Sequence, residues 1–202
     1  MKASCKPRWP TADEPGVDGV YTDAVGTLDD KLYLSATLGQ RPALVVMLHG
    51  ASQTASDFAA GTRMQELTED CGGIALFPQQ SRPAHPLGSW NWYDTRHQVA
   101  QGGEPALIVG LTRQIAAAHG VDQRRICVAG MSSGIALGAA NDLMSALRTI
   151  NNGPAQAWPG QPEPFHRMPG SYTDTSGPDA SREMLRFFLA QRLARGRLND
   201  RA

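Results

Sequence analysis

Arg125-Ile126-Cys127-Val128-Ala129-Gly130-Met131-Ser132-Ser133-Gly134 is the stretch whose reading decides the fold. From Ile126 to Ala129 it is an uninterrupted apolar run, which predicts a strand buried on both faces. It then takes the form Gly-x-Ser-x-Gly. Leu137, Ala140, Leu143, Met144 and Leu147 recur afterwards at helical spacing and predict a helix to about Ile150. A serine set between strand and helix in this way is a candidate nucleophile elbow. The chemistry requires the form. A nucleophilic serine must project from a sharp turn in strained backbone angles, so its neighbours must be small. The following helix turns free N–H groups and its positive end toward the place where an oxyanion forms. The competing reading is a plain Gly/Ser turn. The strand before and the helix after favour the elbow.

Upstream, the same logic repeats. Ala43-Leu44-Val45-Val46-Met47-Leu48 is a second continuous apolar run, ended by His49-Gly50. Residues 55–71 read as short helical pieces with Phe58, Met64 and Leu67 inward, stopped at Cys71-Gly72-Gly73. Ile74-Ala75-Leu76-Phe77 is a third strand, closed by Pro78. Glu104 to His119 is a helix with Leu107, Leu111, Ile115 and Ala118 on one side, Pro105 in its first turn and Gly120 after its end. Strands and helices thus alternate from residue 43 to 129, which argues for right-handed βαβ units, a mostly parallel sheet and the α/β class. Val20–Asp23 and Lys31–Ala36, with Gly26 between them, predict an antiparallel hairpin at the sheet edge. Residues 79–103 form a long polar loop, a length that often carries function.

The ends are less regular. Residues 1–18 read as a loose lead-in, 19–195 as one domain and 196–202 as a tail. Residues 151–178 hold no strand-like run. Pro178-Asp179 opens a last helix with an apolar stripe of Met184, Leu185, Phe188, Leu189 and Leu193. The 202 residues suit one domain, and 41% hydrophobic with 19% charged residues is a globular balance. A formal net charge of +0 leaves no basic field to hold nucleic acid or an anionic membrane. No run approaches the roughly 18 apolar residues of a membrane span, and no signal peptide is seen. The expected product is soluble and stays where it is made. Cys5, Cys71 and Cys127 have neither zinc spacing nor a disulfide pattern, and no metal or organic cofactor is expected.

The candidate site follows from the topology. Ser132 is the candidate nucleophile. His49-Gly50 ends the neighbouring strand, and the backbone N–H groups of Ala51 and Ser133 are the candidate oxyanion donors. His49, Trp90 and Trp92 are the candidate substrate-binding residues. The two tryptophans either line an acyl or aromatic pocket or pin the long loop onto the sheet. His166 is the one histidine after Ser132 and the candidate base, with Asp174 or Asp179 as partner.

Several stretches resemble the polyhydroxybutyrate (PHB) depolymerase-like esterases. They are Leu44 to Gly50, Gln53-Thr54, Asp57 to Met64, Pro78-Gln79-Gln80, Trp90-Asn91-Trp92, Gly103 to Ala106, Val121-Asp122, Val128 to Ser132, and the tail from Gly170 to Phe188. The resemblance implies an α/β-hydrolase fold, a three-layer sandwich, and ester hydrolysis through a Ser-His-Asp triad without metal. It implies a small acyl or aryl ester, or a polyester, as substrate. The group includes feruloyl and acetylxylan esterases, and its members are commonly secreted.

Three departures accompany it. Ala51 and Ser89 stand where the family often has cysteines, which agrees with a reducing compartment. After Ser132 no strand leads to the family's acid, because each strand-crossover-strand unit takes roughly 30 residues and the chain reaches its last helix too soon. In Pro154-Ala155-Gln156-Ala157-Trp158-Pro159-Gly160, Gln156 occupies the family's histidine position, and an amide cannot shuttle a proton near neutral pH. Ser133 to Ala140 resembles a segment that lies well downstream in the family, so an internal deletion joining two Ser-Gly sites is expected. The later strands would then be missing and the elbow strand left as an exposed edge, open to a second copy of the chain. The alternative function is a non-catalytic remnant that binds an ester-like ligand or a partner.

Overall fold

The computed structural model describes residues 16–99, 102–139 and 180–190. The predictions for His166, Gln156, Asp174, Asp179, Cys5, the far half of the helix to Ile150 and the tail lie outside these residues, as does most of the lead-in.

Five strands form one sheet in the order β1-β2-β4-β3-β5. They are β1 (Val17–Thr22), β2 (Thr27–Leu34), β3 (Leu44–Leu48), β4 (Ile74–Gln79) and β5 (Ile126–Gly130). β3 pairs in parallel with both β4 and β5. β2 pairs antiparallel with β1 and with β4. The parallel βαβ core is present, and the predicted hairpin lies on its β4 side, its turn at residues 23–26. β1 starts three residues earlier than alternation suggests, at Val17, and β2 four residues earlier, at Thr27, where Asp23 caps the turn by accepting the N–H groups of Val25 and Gly26.

Helices α1 (Ala55–Thr62) and α2 (Met64–Asp70) join β3 to β4, and α3 (Gly103–Ala118) joins β4 to β5. From β3 the chain crosses one way to β4, then back past β3 to β5. Right-handed crossovers in opposite directions place their helices on opposite faces. Accordingly Val45, Met47, Ala75 and Phe77 pack with Phe58, Met64 and Leu67 on one face. Leu44, Val46, Leu48, Ile74 and Leu76 pack with Leu107, Ile108, Leu111 and Ile115 on the other. Every residue of β3 is buried. Each such side chain contributes about 1.5–3 kcal/mol by leaving water.

Local chemistry sets the boundaries. Thr54 caps α1 by accepting the Asp57 N–H at 3.1 Å, and the Gln79 side chain accepts that of Ala55 at 2.7 Å. Arg63, at φ 51, breaks residues 55–71 into two helices. Pro78 does not close β4, which runs on to Gln79. Its missing N–H breaks no β3 ladder bond, because the β3 pairing ends at Leu76. Ala118 is exposed and Ala116 is buried in its place on α3. After Ser132 the helix α4 spans Ser133–Ala139. The last helix, α5 (Ala180–Ala190), brings Leu185 and Phe188 onto the face that carries α1 and α2. Among the described residues, β5 has a sheet neighbour on its β3 side alone, and none of its residues after Ile126 is fully buried.

One inward position is not apolar. Asp30 lies between Leu28 and Leu32 on the buried row of β2. It crosses β1 at Gly19, where an added Cβ would stand 2.6 Å from its carboxylate. Among the described residues no donor reaches that carboxylate. Burial, with the charges of Asp29 and Asp18, pushes its pKa up to about 6. The fold therefore favours the protonated acid. Its stabilising share is fully present below about pH 4, near the unfolded value, and is lost as the pH rises through 6. Allowing for screening, that is about 1–2 kcal/mol. Asp30→Asn is expected to gain stability over the native chain between pH 4 and pH 7, opening a gap of roughly 3–6 °C in Tm. Thermal unfolding at several pH values checks this. A gap of the same size at pH 4 and pH 7 would refute it.

Candidate active site

The chain reverses its crossover direction at β3, so a crevice opens between the C-terminal ends of β3 and β5. In open α/β sheets that switch point is where ligands bind. His49-Gly50 ends β3 there, and Met131-Ser132 ends β5. The two ends touch. The Met131 N–H donates to Leu48 O at 3.0 Å. A Cβ on Gly50 would stand 3.1 Å from Met131 Cε.

Ser132 is exposed and has φ 51, the left-handed conformation that a non-glycine residue rarely holds. Such strain costs of order 1–3 kcal/mol and concentrates at functional sites. The flanking glycines show why it persists. A Cβ on Gly130 would stand 2.9 Å from both Leu48 O and Gly134 C, and one on Gly134 would overlap the Leu48 carbonyl. No larger residue fits where strand, elbow and α4 meet.

The turn from His49 to Ser52 is held at almost every polar atom. His49 O accepts Trp90 Nε1–H at 2.9 Å. Gly50 N–H donates to Gln53 Oε1 at 2.9 Å, and Gly50 O accepts the Gln53 N–H at 3.3 Å. Ser52, itself at φ 64, donates its N–H to Leu87 O at 2.7 Å. Among the described residues the Ala51 N–H makes no hydrogen bond, and neither does the Ser133 N–H. The two groups expected as oxyanion donors are thus both unengaged. The buried Ser133 hydroxyl also lacks a partner among the described residues.

His49 corrects an expectation. It was placed at the substrate, yet its ring is fully buried and both nitrogens serve the protein. Nε2 accepts the Gln80 N–H at 3.1 Å, which puts the ring proton on Nδ1, where it donates to Gly50 O at 2.8 Å. Burial lowers its pKa, so the ring stays neutral. His49 shapes the turn and offers no face to a ligand. Of the two readings for Trp90, burial favours the second over substrate contact: it is fully buried, with its ring 5.4 Å from that of His49, and it pins the long loop under the turn. Trp92 is exposed and meets Tyr93 edge-on at 5.8 Å.

Glu104, Gln80 and Gln53 were not singled out as site residues. Buried Glu104 accepts Gln80 Nε2–H at 2.5 Å, Asn91 N–H at 2.8 Å and Asn91 Nδ2–H at 2.6 Å. This carboxylate ties β4, the long loop and α3 together directly behind His49. A Glu in the first turn of a helix is usually explained by the dipole. Their one signal in the sequence was that all three fall in stretches resembling the esterases.

Among the described residues no histidine is hydrogen-bonded to Ser132, and none of their His, Cys, Asp and Glu side chains cluster in a way that could hold a metal. Cys127, at the back of β5, has its thiol pushed up to about 12 by burial and is no rival nucleophile. No helix of the described residues is long and apolar enough to cross a membrane.

Residues 28–149 match the family model described as Esterase PHB depolymerase. Feruloyl esterase B of Neurospora crassa is 29% identical over 114 residues, covering 56% of this chain and 37% of that protein. Feruloyl esterase B of Talaromyces funiculosus is 23% identical over 132 residues, covering 62% and 36%. Among solved structures, an acetyl xylan esterase from Aspergillus awamori superposes with a TM-score of 0.59 at 19% identity, covering 69% of this chain and 50% of that one. The chain therefore spans half or less of the length of these relatives, and the structural likeness shows an α/β-hydrolase fold.

Proposed function

Because the chain belongs to the esterase PHB depolymerase family, we propose that it is a serine carboxylic-ester hydrolase with Ser132 as nucleophile. One observation carries the proposal: an exposed serine held at φ 51 on the turn from β5 to α4, facing a neighbouring turn whose Ala51 N–H is unengaged. Ser132 Oγ attacks the ester carbonyl carbon, and its proton passes to a base. The carbonyl oxygen becomes an oxyanion that accepts from the Ala51 and Ser133 N–H groups. The C–O bond to the alcohol then breaks as the base returns its proton to the leaving oxygen, and the acyl-serine is hydrolysed by a water that the same base deprotonates. The base we assign is His166, with Asp174 or Asp179 as its partner. The substrate is a small acyl or aryl ester or a polyester, and Trp92, exposed on the long loop, is its candidate contact. The names of the relatives, feruloyl esterase B and acetyl xylan esterase, agree with that class. One domain over residues 19–195 carries the activity.

A second reading rests on β5, which among the described residues has a sheet neighbour on its β3 side alone. It is a non-catalytic homologue that binds ligands or pairs with a second copy along the β5 edge. Hydrolysis of a short-chain p-nitrophenyl ester by the native chain and by Ser132→Ala, with circular dichroism on both, separates the two. We expect activity that disappears in the variant while folding is unchanged. If His166 is the base, His166→Ala keeps only the roughly 10³–10⁴-fold advantage over water that binding and the oxyanion hole supply. Equal background rates in two folded proteins would overturn the esterase reading, and light scattering would then test the paired copy.

A further inference from the structure

We propose that Gln53 is a positioning residue, one that grips Gly50 from both sides and so holds the His49–Ser52 turn in the shape that presents the Ala51 N–H as an oxyanion donor. The inference rests on the esterase reading and deepens it.

The turn does not hold this shape by itself: Ser52 sits at φ 64, a left-handed conformation that L-residues rarely adopt. An oxyanion donor must be fixed before the reaction, because reorganising it in the transition state forfeits its advantage. Gln53 supplies the fixing. Its own N–H donates to Gly50 O at 3.3 Å, and its side-chain Oε1 accepts the Gly50 N–H at 2.9 Å. The two bonds close a ring around Gly50. With Gly50 N–H engaged, the next amide along, that of Ala51, is the one the turn turns outward.

The direction of the Gln53 amide is also determined. Its Nε2 donates to Asp57 Oδ2 at 3.2 Å. Asp57 is anchored in the first turn of α1, where its N–H donates to Thr54 Oγ1 at 3.1 Å. A flipped amide would set donor against donor at Gly50 and acceptor against acceptor at Asp57. The bond to Gly50 is buried, so water does not replace it. Steric contact closes the arrangement, because a Cβ on Gly50 would stand 3.1 Å from both Gln53 Oε1 and Met131 Cε. Gln53 thus links α1 to the turn. It touches no reacting atom, so its effect reaches the reaction through the Ala51 amide.

Two variants test this against native protein. Gln53→Leu keeps the volume and loses the side-chain bonds to Gly50 and Asp57. The double variant Gln53→Glu with Asp57→Asn reverses the donor and acceptor between 53 and 57 and keeps an oxygen for Gly50 N–H. With a p-nitrophenyl ester, Gln53→Leu is expected to lower kcat about 10- to 100-fold and to leave KM within about 3-fold, because an oxyanion contact exists in the transition state and not in the ground state. The double variant is expected to recover most of kcat. Amide hydrogen exchange gives a readout independent of turnover: the Gly50 N–H exchanges faster in Gln53→Leu and returns to the native rate in the double variant. Unchanged kcat in Gln53→Leu overturns the proposal. So does unchanged Gly50 exchange, or a loss of kcat that the double variant does not rescue. If native protein and Ser132→Ala hydrolyse the ester equally, the esterase reading fails, and Gly50 exchange still decides whether Gln53 holds the turn.

Discussion

Gly134→Ala is expected to cost about 3 kcal/mol or more of stability and to remove activity with it. On helix propensity alone the change should help, since alanine is favoured over glycine in a helix by about 1 kcal/mol. Space decides the other way. The new methyl would overlap the Leu48 carbonyl oxygen and lie 2.8 Å from Leu48 C and 2.9 Å from His49 O. All three are backbone atoms at the end of β3. They cannot step aside, because Leu48 pairs with Gly130 on β5 and His49 O holds Trp90. Relief would come by pushing α4 away from β3, which moves Ser132 and the Ser133 N–H together. Denaturant unfolding beside Ile135→Ala, an exposed site one residue on, measures the effect. The Ile135 change should stay within about 0.5 kcal/mol of native. A Gly134→Ala protein as stable as the native one would show that α4 is free of β3.

Glu104→Ala is expected to lower stability by about 3–5 kcal/mol and to release the long loop. The loss exceeds that of one hydrogen bond, because three donors remain behind. Gln80 Nε2–H, Asn91 N–H and Asn91 Nδ2–H all point at the removed carboxylate. Leaving a buried donor without a partner costs about 1–3 kcal/mol, and more where the lost acceptor was charged. The effect extends forward as well. Gln80 also donates its backbone N–H to His49, and Trp90 follows Ser89, whose carbonyl accepts from the Gln80 amide at 3.0 Å. Limited proteolysis should therefore cut within residues 81–99 in the variant and spare the native loop. Glu104→Gln should fall between the two, since one of its two oxygens becomes an NH₂ facing donors. A variant within about 0.5 kcal/mol of native, with an uncut loop, would refute this role.

Two of the parallel strands, β3 and β4, were legible because they are buried on both faces, whereas the apolar run of β5 is only half-buried beyond Ile126. Leu44 to Leu48 and Ile74 to Phe77 are apolar without alternation, and only a strand inside a sandwich permits that. The elbow was legible because its two glycines follow from sterics. What stayed hidden was the polar frame behind it. Glu104, Gln80 and Gln53 are ordinary surface residue types, and their burial is decided by partners far off in the chain. Asp30 was hidden likewise: β2 alternates as a hairpin strand should, yet its inward row includes an acid. His49 misled for a related reason, and Trp90 allowed two readings. A histidine and a tryptophan beside a candidate nucleophile suggest contact with a ligand, whereas here their polar atoms complete the scaffold.

The strand order also has a meaning in time. β3 and β4 are joined by α1 and α2 and can pair as soon as both have left the ribosome. β5 reaches its place only after the long loop and α3 have been made, when it must dock on the far side of a strand already paired. Until then β3 presents an open apolar edge, and Ser132 has no β3 end to be bent against. Shaping the strained turn thus requires that β5 has docked on β3.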